Sequence, residues 1–258
     1  MSSPSRSMNN ALVTGASSGL GRALATRLGR DGWRVVLAAR RQAALDEVAA
    51  TIRAAGGEAV VGVLDVADTT RCVAAIRGWD DELGGLDLVI ANAGVGPELS
   101  ASPLSWEALA GPCHVNYCGA VATLTAVLPR MVERGRGHLV GISSLSSFGA
   151  LPESAAYCSP KAGLNMMLDC LRLDGEPHGV AVTTVHAGFI DTPMVAHRRE
   201  AMPQLVPVDE AAARIVDALP SRPARIDFPQ PLAWVARAGA RLPRPLRDRL
   251  VRRAVKAQ

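Results

Sequence analysis

The chain has no CxxC pair among its five cysteines, Cys72, Cys113, Cys118, Cys158 and Cys170, and no histidine at metal-ligand spacing from them. That lack argues against a zinc-type ligand set and for reduced, mostly buried thiols, so no metal is expected. No apolar run approaches the roughly eighteen residues that a membrane-spanning helix needs. Met1–Asn10 is polar, lacks an apolar core and runs straight into an apolar strand, which is neither a signal peptide nor a transmembrane start. We therefore expect a cytoplasmic protein with a disordered arm over residues 1–9. No internal repeat or low-complexity linker divides the rest, so one domain is expected over residues 10–228, with an extension over 229–258. The core offers no basic recognition element and the basic tail no interleaved aromatic, so no nucleic-acid partner is expected. His114, His138, His178, His186 and His197 read as ordinary packing or surface residues.

What is present points to a layered α/β protein. The 258 residues with 48% hydrophobic content suffice for one large core. Short apolar runs such as Val60–Leu64 and Leu86–Ile90 alternate with helical segments such as Gln42–Ala55, in which Ala44, Leu45, Val48 and Ile52 recur at helical spacing. That alternation predicts a doubly wound parallel sheet of Rossmann type, covered by helices on both faces, in a single domain. Gly56-Gly57, Gly84-Gly85 and Gly135-Arg136-Gly137 fall between the periodic segments and read as helix ends and turns.

Two motifs carry chemistry. Tyr157-Cys158-Ser159-Pro160-Lys161 places a phenol and an ammonium four residues apart, and Ser144 lies thirteen residues before the tyrosine. On a helix these two share a face, where the ammonium favours the phenolate while Ser144 hydrogen-bonds a substrate oxygen. Pro160 lacks an amide hydrogen, so the helix is predicted to begin close to Tyr157. Near the start, Ala11-Leu12-Val13 runs into Thr14-Gly15-Ala16-Ser17-Ser18-Gly19-Leu20-Gly21 and then a helical segment. A strand, a glycine turn and a helix N-terminus together make a cradle for a pyrophosphate.

The TGxxxGxG spacing, taken with YxxxK, resembles the classical short-chain dehydrogenase/reductase family, and further positions fit the resemblance. Ala91-Asn92-Ala93-Gly94 is similar to the family's NNAG element with its first Asn replaced, Asp65-Val66 to its adenine-contacting pair, and Ala187-Gly188-Phe189-Ile190-Asp191-Thr192 to its PGxxxT with Ala in place of Pro. Asn116 matches the helix asparagine that completes a tetrad with Ser, Tyr and Lys and holds a relay water. The resemblance runs from about residue 9 to 220 and implies an oxidoreductase transferring hydride between a nicotinamide cofactor and a carbonyl or alcohol carbon. It assigns Asn116, Ser144, Tyr157 and Lys161 to catalysis. It assigns Gly15, Ser17, Ser18, Gly19, Leu20, Gly21, Asp65, Val66, Asn92, Ala93, Gly94, Tyr157, Lys161, Gly188, Ile190 and Thr192 to the cofactor, and it implies a homo-oligomer.

Cofactor choice is read from charge. The second strand ends Ala38-Ala39-Arg40-Arg41, where an NAD enzyme would place an acid for the ribose 2′-hydroxyl. Two guanidiniums suit a 2′-phosphate instead, so NADP(H) is expected rather than NAD, with Arg40 the principal contact and Ser17 a minor one. Leu145–Ala156 holds only Glu153 as a charge beside Leu145, Phe148, Leu151 and Pro152, which predicts an apolar pocket for a hydrophobic ketone, aldehyde or alcohol. Residues 193–207 read equally as a lid or as a solvated surface helix. Two other readings stay in view: an NADP-binding regulatory protein without turnover, which the intact tetrad argues against, and a sugar-nucleotide epimerase or dehydratase, which the TGxxxGxG spacing argues against.

The tail differs from the rest in charge. From Arg237 onward eight Arg or Lys stand against Asp248 alone, a balance of +7 in a chain whose net charge is +4. Leu246, Leu250, Val251 and Val255 recur at helical spacing among the arginines, giving a basic amphipathic helix. It reads three ways: docked on its own domain or another subunit, touching an anionic membrane surface, or binding another acidic partner.

Overall fold

The computed structural model describes residues 9–96, 105–202 and 204–256; the N-terminal arm, but for Asn9, lies outside them. Nine strands and ten helices follow in chain order among the described residues. The strands are β1 (Asn10–Thr14), β2 (Arg34–Ala39), β3 (Glu58–Val63), β4 (Leu88–Ala91), β5 (Gly137–Ser144), β6 (Val180–Ala187), β7 (Ile190–Asp191), β8 (Val206–Pro207) and β9 (Arg225–Phe228). The helices are α1 (Gly19–Arg30), α2 (Gln42–Ala54), α3 (Thr69–Glu82), α4 (Trp106–Cys113), α5 (Ala120–Thr125), α6 (Leu128–Arg134), α7 (Ala155–Gly175), α8 (Val208–Ala218), α9 (Gln230–Ala240) and α10 (Arg244–Lys256).

Seven strands form one parallel sheet in the order β3-β2-β1-β4-β5-β6-β9. Side chains alternate across a strand, so each strand feeds both faces. In β1, Ala11 and Val13 join Leu24, Leu28, Leu45, Ile52 and Ile215 under α1, α2 and α8, while Leu12 joins Leu64, Ile76, Leu124, Leu164 and Leu168 under α3, α5 and α7. The predicted doubly wound Rossmann-type sheet is therefore what the chain forms, in one domain. Strand order reverses between β1 and β4, and in such sheets the crevice at the carboxyl ends of those strands is the ligand site.

A buried acid fixes the opposite end. Asp80, 3% exposed, accepts hydrogen bonds from the Leu86 amide at 2.7 Å, from Arg134 at 2.9 and 3.1 Å and from Arg130 at 3.2 Å. Burial alone would raise its pKa, but the Arg134, Leu86 and Arg130 bonds overcome it and hold the carboxyl below its ordinary 3.8. Asp80→Ala is expected to cost about 2–3 kcal/mol in urea unfolding, because it strands a buried amide and two half-covered guanidiniums. A depressed carboxylate pKa stabilises above the unfolded value and ceases to do so as pH falls through the folded one, so the gap between variant and parent should narrow below pH 3.8.

Candidate active site

At the carboxyl end of β1 the glycine turn is clipped to the segment after β4. The Thr14 hydroxyl accepts from the Asn92 and Ala93 amides, both at 3.1 Å, and the Asn92 side chain donates to the Thr14 carbonyl at 2.9 Å. Gly15 and Gly19 take φ of +69° and +52°, which L side chains rarely adopt. A Cβ at Gly21 would stand 2.3 Å from the Gly15 oxygen and 2.4 Å from the Asn92 amide nitrogen. Ser18 is the N-cap of α1, yet its hydroxyl makes no capping bond. The amides of Gly19, Leu20 and Gly21 thus open the helix without a side-chain acceptor, as a pyrophosphate requires. Leu20 itself is buried in the core.

Around this turn stand the other expected cofactor residues. Thr192 reaches it from β7, its Cγ2 lying 3.3 Å from where a Cβ on Gly19 would be, and its hydroxyl donates to the Ile190 carbonyl at 3.3 Å. Ile190 is buried, and Gly188 donates its amide to the Phe228 carbonyl at 2.8 Å. Asp65 is half exposed beside Arg40, 3.9 Å from its guanidinium, whereas Val66 is core, packed where Gly119 leaves room for it. Arg40 is largely exposed. Its neighbour Arg41, the N-cap of α2, is the arginine that crosses to the glycine turn, donating to the Ser17 hydroxyl at 3.2 Å. Both arginines are exposed and stand beside the glycine turn and Asp65; which of them bonds Ser17 is set by backbone direction.

The polar groups of the reaction side converge from β5, α7 and the α4–α5 region. α7 begins at Ala155 after its N-cap Ser154, so Tyr157 lies in its first turn, close to the predicted start, while Pro160 falls one turn further, inside a helix that continues to Gly175 and lacks the bond to the Ala156 carbonyl there. Lys161 is buried one turn on, its Nζ donating to the Ile142 carbonyl at 2.7 Å and standing 5.8 Å from the Tyr157 ring centre. Ser144, at the end of β5, accepts from both the amide of Ser146 at 3.2 Å and its hydroxyl at 2.9 Å. With two acceptor positions filled, the Ser144 hydroxyl is left to donate, and Tyr157 is its hydrogen-bonding neighbour.

Burial raises the Tyr157 phenol above its ordinary 10, the Ser144 hydroxyl pulls it down and Cys158 adds a small upward push. Burial also lowers Lys161 from 10.5 to about 8. The expectation that Lys161 depresses the phenol is not met here. Its ammonium is spent on a carbonyl, and desolvation of the phenolate outweighs it.

Asn116 is fully buried in a single π-helical turn, His114–Gly119, between α4 and α5. Its Oδ1 accepts from the Val95 amide at 2.8 Å and its Nδ2 donates to the Val95 carbonyl at 2.9 Å, so the side chain clamps the Asn92–Val95 segment. The sequence signal for the irregular turn was Pro112, inside α4, which removes a helical donor just before it. Gly94 closes the arrangement: a Cβ there would lie 3.1 Å from Asn116 Oδ1 and 3.7 Å from Lys161 Nζ.

One cluster escaped the sequence reading. Buried His186 on β6 bonds Asp227 on β9 at 2.7 Å through Nδ1, and its ring lies 4.6 Å from that of Phe148, in the short 3-10 turn Leu145–Phe148 after Ser144. Nothing in sequence relates positions 186 and 227; the pairing of β6 with β9 does. The segment after Thr192 forms a 3-10 helix, Pro193–Ala201, and Met194 leans against Gly96, within 2.7 Å of its missing Cβ. Met194 thus touches the segment after β4, while Pro193, Ala196 and Arg199 are exposed, so the helix is partly solvated.

A sheet whose switch point holds a glycine cradle and a Ser, Tyr, Lys and Asn group defines a dinucleotide-dependent oxidoreductase. Residues 9–203 match the short chain dehydrogenase family, and the chain belongs to it. An uncharacterized oxidoreductase of Myxococcus xanthus is 44% identical over 247 residues, 96% of this chain and 98% of that one. A fatty acyl-CoA reductase of Acinetobacter baylyi is 33% identical over 220 residues, 84% of this chain and 74% of that protein. Among solved structures, a short-chain dehydrogenase from Sphingobium yanoikuyae in complex with NADPH is 27% identical, with a TM-score of 0.81 over 91% of this chain and 94% of that chain. The protein is thus an oxidoreductase acting on CH–OH groups, and its family binds NAD or NADP.

Proposed function

We propose that the protein interconverts a hydrophobic ketone or aldehyde and its alcohol with NADP(H), using Tyr157 as acid and base. The observation that carries this reading is the convergence of Ser144, Tyr157 and Lys161 with the glycine cradle through Gly94. Bound NADPH supplies the hydride. The Gly15–Gly21 turn, Asn92–Gly94, Asp65, the flank of Val66, Gly188, Ile190 and Thr192 hold it, and Arg40 and Arg41 with Ser17 meet its 2′-phosphate. Tyr157 gives or takes the hydroxyl proton and Ser144 orients the oxygen. Lys161, whose pKa of about 8 keeps it an ammonium at neutral pH, would bind the cofactor's ribose. Asn116 fixes the Asn92–Val95 segment and a relay water beside it.

Leu145 and Leu232 both lie against Gly188, which supports an apolar substrate side, and a fatty acyl chain such as the name of the Acinetobacter relative implies would suit it. Trp106 on α4 and Met166 and Leu173 on α7 are large, exposed and apolar, which supports assembly of identical subunits through those helices. Among the described residues no helix is long and apolar enough to cross a membrane.

Fluorescence titration with NADPH and NADH tests the cofactor assignment. NADPH should bind more tightly, and Arg41→Ala and Arg40→Ala should each weaken NADPH about tenfold or more while leaving NADH unchanged, the cost of one charge-assisted phosphate contact. Tighter NADH binding by the parent would overturn the assignment.

A further inference from the structure

Helix α9 has two apolar faces and only one is covered. Inward, Ala233 is buried and Leu232 lies against Gly188, 3.3 Å from its missing Cβ, so this face walls the substrate side of the site. Outward, Pro231, Trp234, Val235 and Ala238 follow the i, i+3, i+4, i+7 spacing of a single helical stripe and are all exposed, Trp234 by 73% and Val235 by 69%. α10 continues the pattern with Leu246 and Leu250, each 46% exposed one turn apart. Around these apolar groups stand the arginines. Asp227 engages Arg237 at 3.3 Å and Asp248 engages Arg247 at 3.3 Å, while among the described residues Arg249, Arg252 and Arg253 have no carboxylate partner.

We propose that α9 and α10 dock on the surface of an anionic phospholipid bilayer. Trp and Arg together suit the boundary between headgroups and acyl chains: the indole buries its ring and keeps its N–H wet, and arginine heads reach phosphates while their stems stay apolar. On α10, Leu246, Arg249, Leu250 and Arg253 share one stripe by the same spacing, so apolar side chains and guanidiniums meet that boundary together, as in a basic helix lying in the interface plane. The charge decides against a second copy of the chain as occupant. A two-fold contact through this face would oppose two tails of +7 each, whereas a phosphatidylglycerol surface neutralises them. Docking would also bring the α9 wall of the site to the lipid. Resting on the function proposed above, this makes the substrate a carbonyl or alcohol dissolved in the bilayer.

The full chain should be sedimented with sucrose-loaded vesicles of equimolar phosphatidylglycerol and phosphatidylcholine, and with phosphatidylcholine alone, neither requiring turnover. Binding is expected only to the anionic vesicles and should disappear in molar salt. The triple variant Arg249→Glu/Arg252→Glu/Arg253→Glu should lose roughly a hundredfold or more in partition, and Trp234→Ser/Val235→Ser should also release the protein, with thermal midpoints unchanged in both. Failure of the parent chain to sediment, equal binding to neutral vesicles, or full binding by the triple variant would each overturn the proposal. So would a fall in solution mass on Trp234→Ser/Val235→Ser, which would assign the face to a subunit contact. None of these results bears on hydride transfer itself, so the two proposals fail separately.

Discussion

Tyr157→Phe is expected to lower kcat by about a thousandfold while leaving NADPH affinity intact, because it removes one proton-transfer group without altering the ring that packs there. The same tyrosine sets the pH dependence. Burial holds the phenol protonated above its ordinary 10 in the ligand-free protein, so at neutral pH it is poised to give a proton, the direction of carbonyl reduction. Reduction is therefore expected to proceed at neutral pH, and alcohol oxidation to accelerate as the pH rises and phenolate forms. Initial rates in both directions across pH check this. A variant with near-parental kcat would remove Tyr157 from the chemistry, and oxidation that slows with rising pH would contradict the titration argument.

Lys161→Met is expected to abolish turnover and to make the protein more stable. The ammonium is buried with the Ile142 carbonyl as its hydrogen-bond partner, and burial lowers its pKa from 10.5 to about 8. The unfolded chain therefore holds the proton more tightly than the folded one. Stability from this group is present at high pH and is lost as pH falls through about 8. At neutral pH a charge must be carried into the interior on folding, at a cost of roughly 1–3 kcal/mol. A methionine of similar length relieves it. Urea midpoints near neutrality should favour the variant, and the gap should close between pH 8 and 10.5 as the parent's lysine loses its proton. A variant less stable than the parent at neutral pH would show that the buried ammonium stabilises the fold, contrary to this reading. A cationic residue kept at such a cost is what a functional site requires.

Much of this arrangement was legible before any coordinates. The alternation of Ala11, Leu12 and Val13 and the helical spacing of Leu45, Val48 and Ile52 follow from burial on both faces of a parallel sheet, a local signal that the two cores bear out. Pro160 pointed to a helix start near Tyr157, and α7 starts two residues before it, with the proline accommodated inside. Contacts set by topology were not legible. His186 and Asp227 lie 41 residues apart and meet only because β9 adds to the sheet edge beside β6. That Arg41 bonds Ser17 depends on how the chain leaves β2, and the π turn at Asn116 on how α4 absorbs Pro112. The phenol's pKa went the other way from the sequence expectation because desolvation is a property of the packed site, invisible in the spacing of Tyr157 and Lys161.

The central claim, hydride transfer from NADPH to a hydrophobic carbonyl, is tested most directly by following the hydride. The protein should be incubated with NADPH deuterated at the transferring position of nicotinamide C4 and a panel of medium- and long-chain ketones and aldehydes, and the products read by mass spectrometry. The account predicts an alcohol carrying one deuterium on its carbinol carbon, formed by the parent and not by Tyr157→Phe. Tight NADPH binding with no labelled alcohol from any of the carbonyls would contradict it and favour a cofactor-binding protein without turnover.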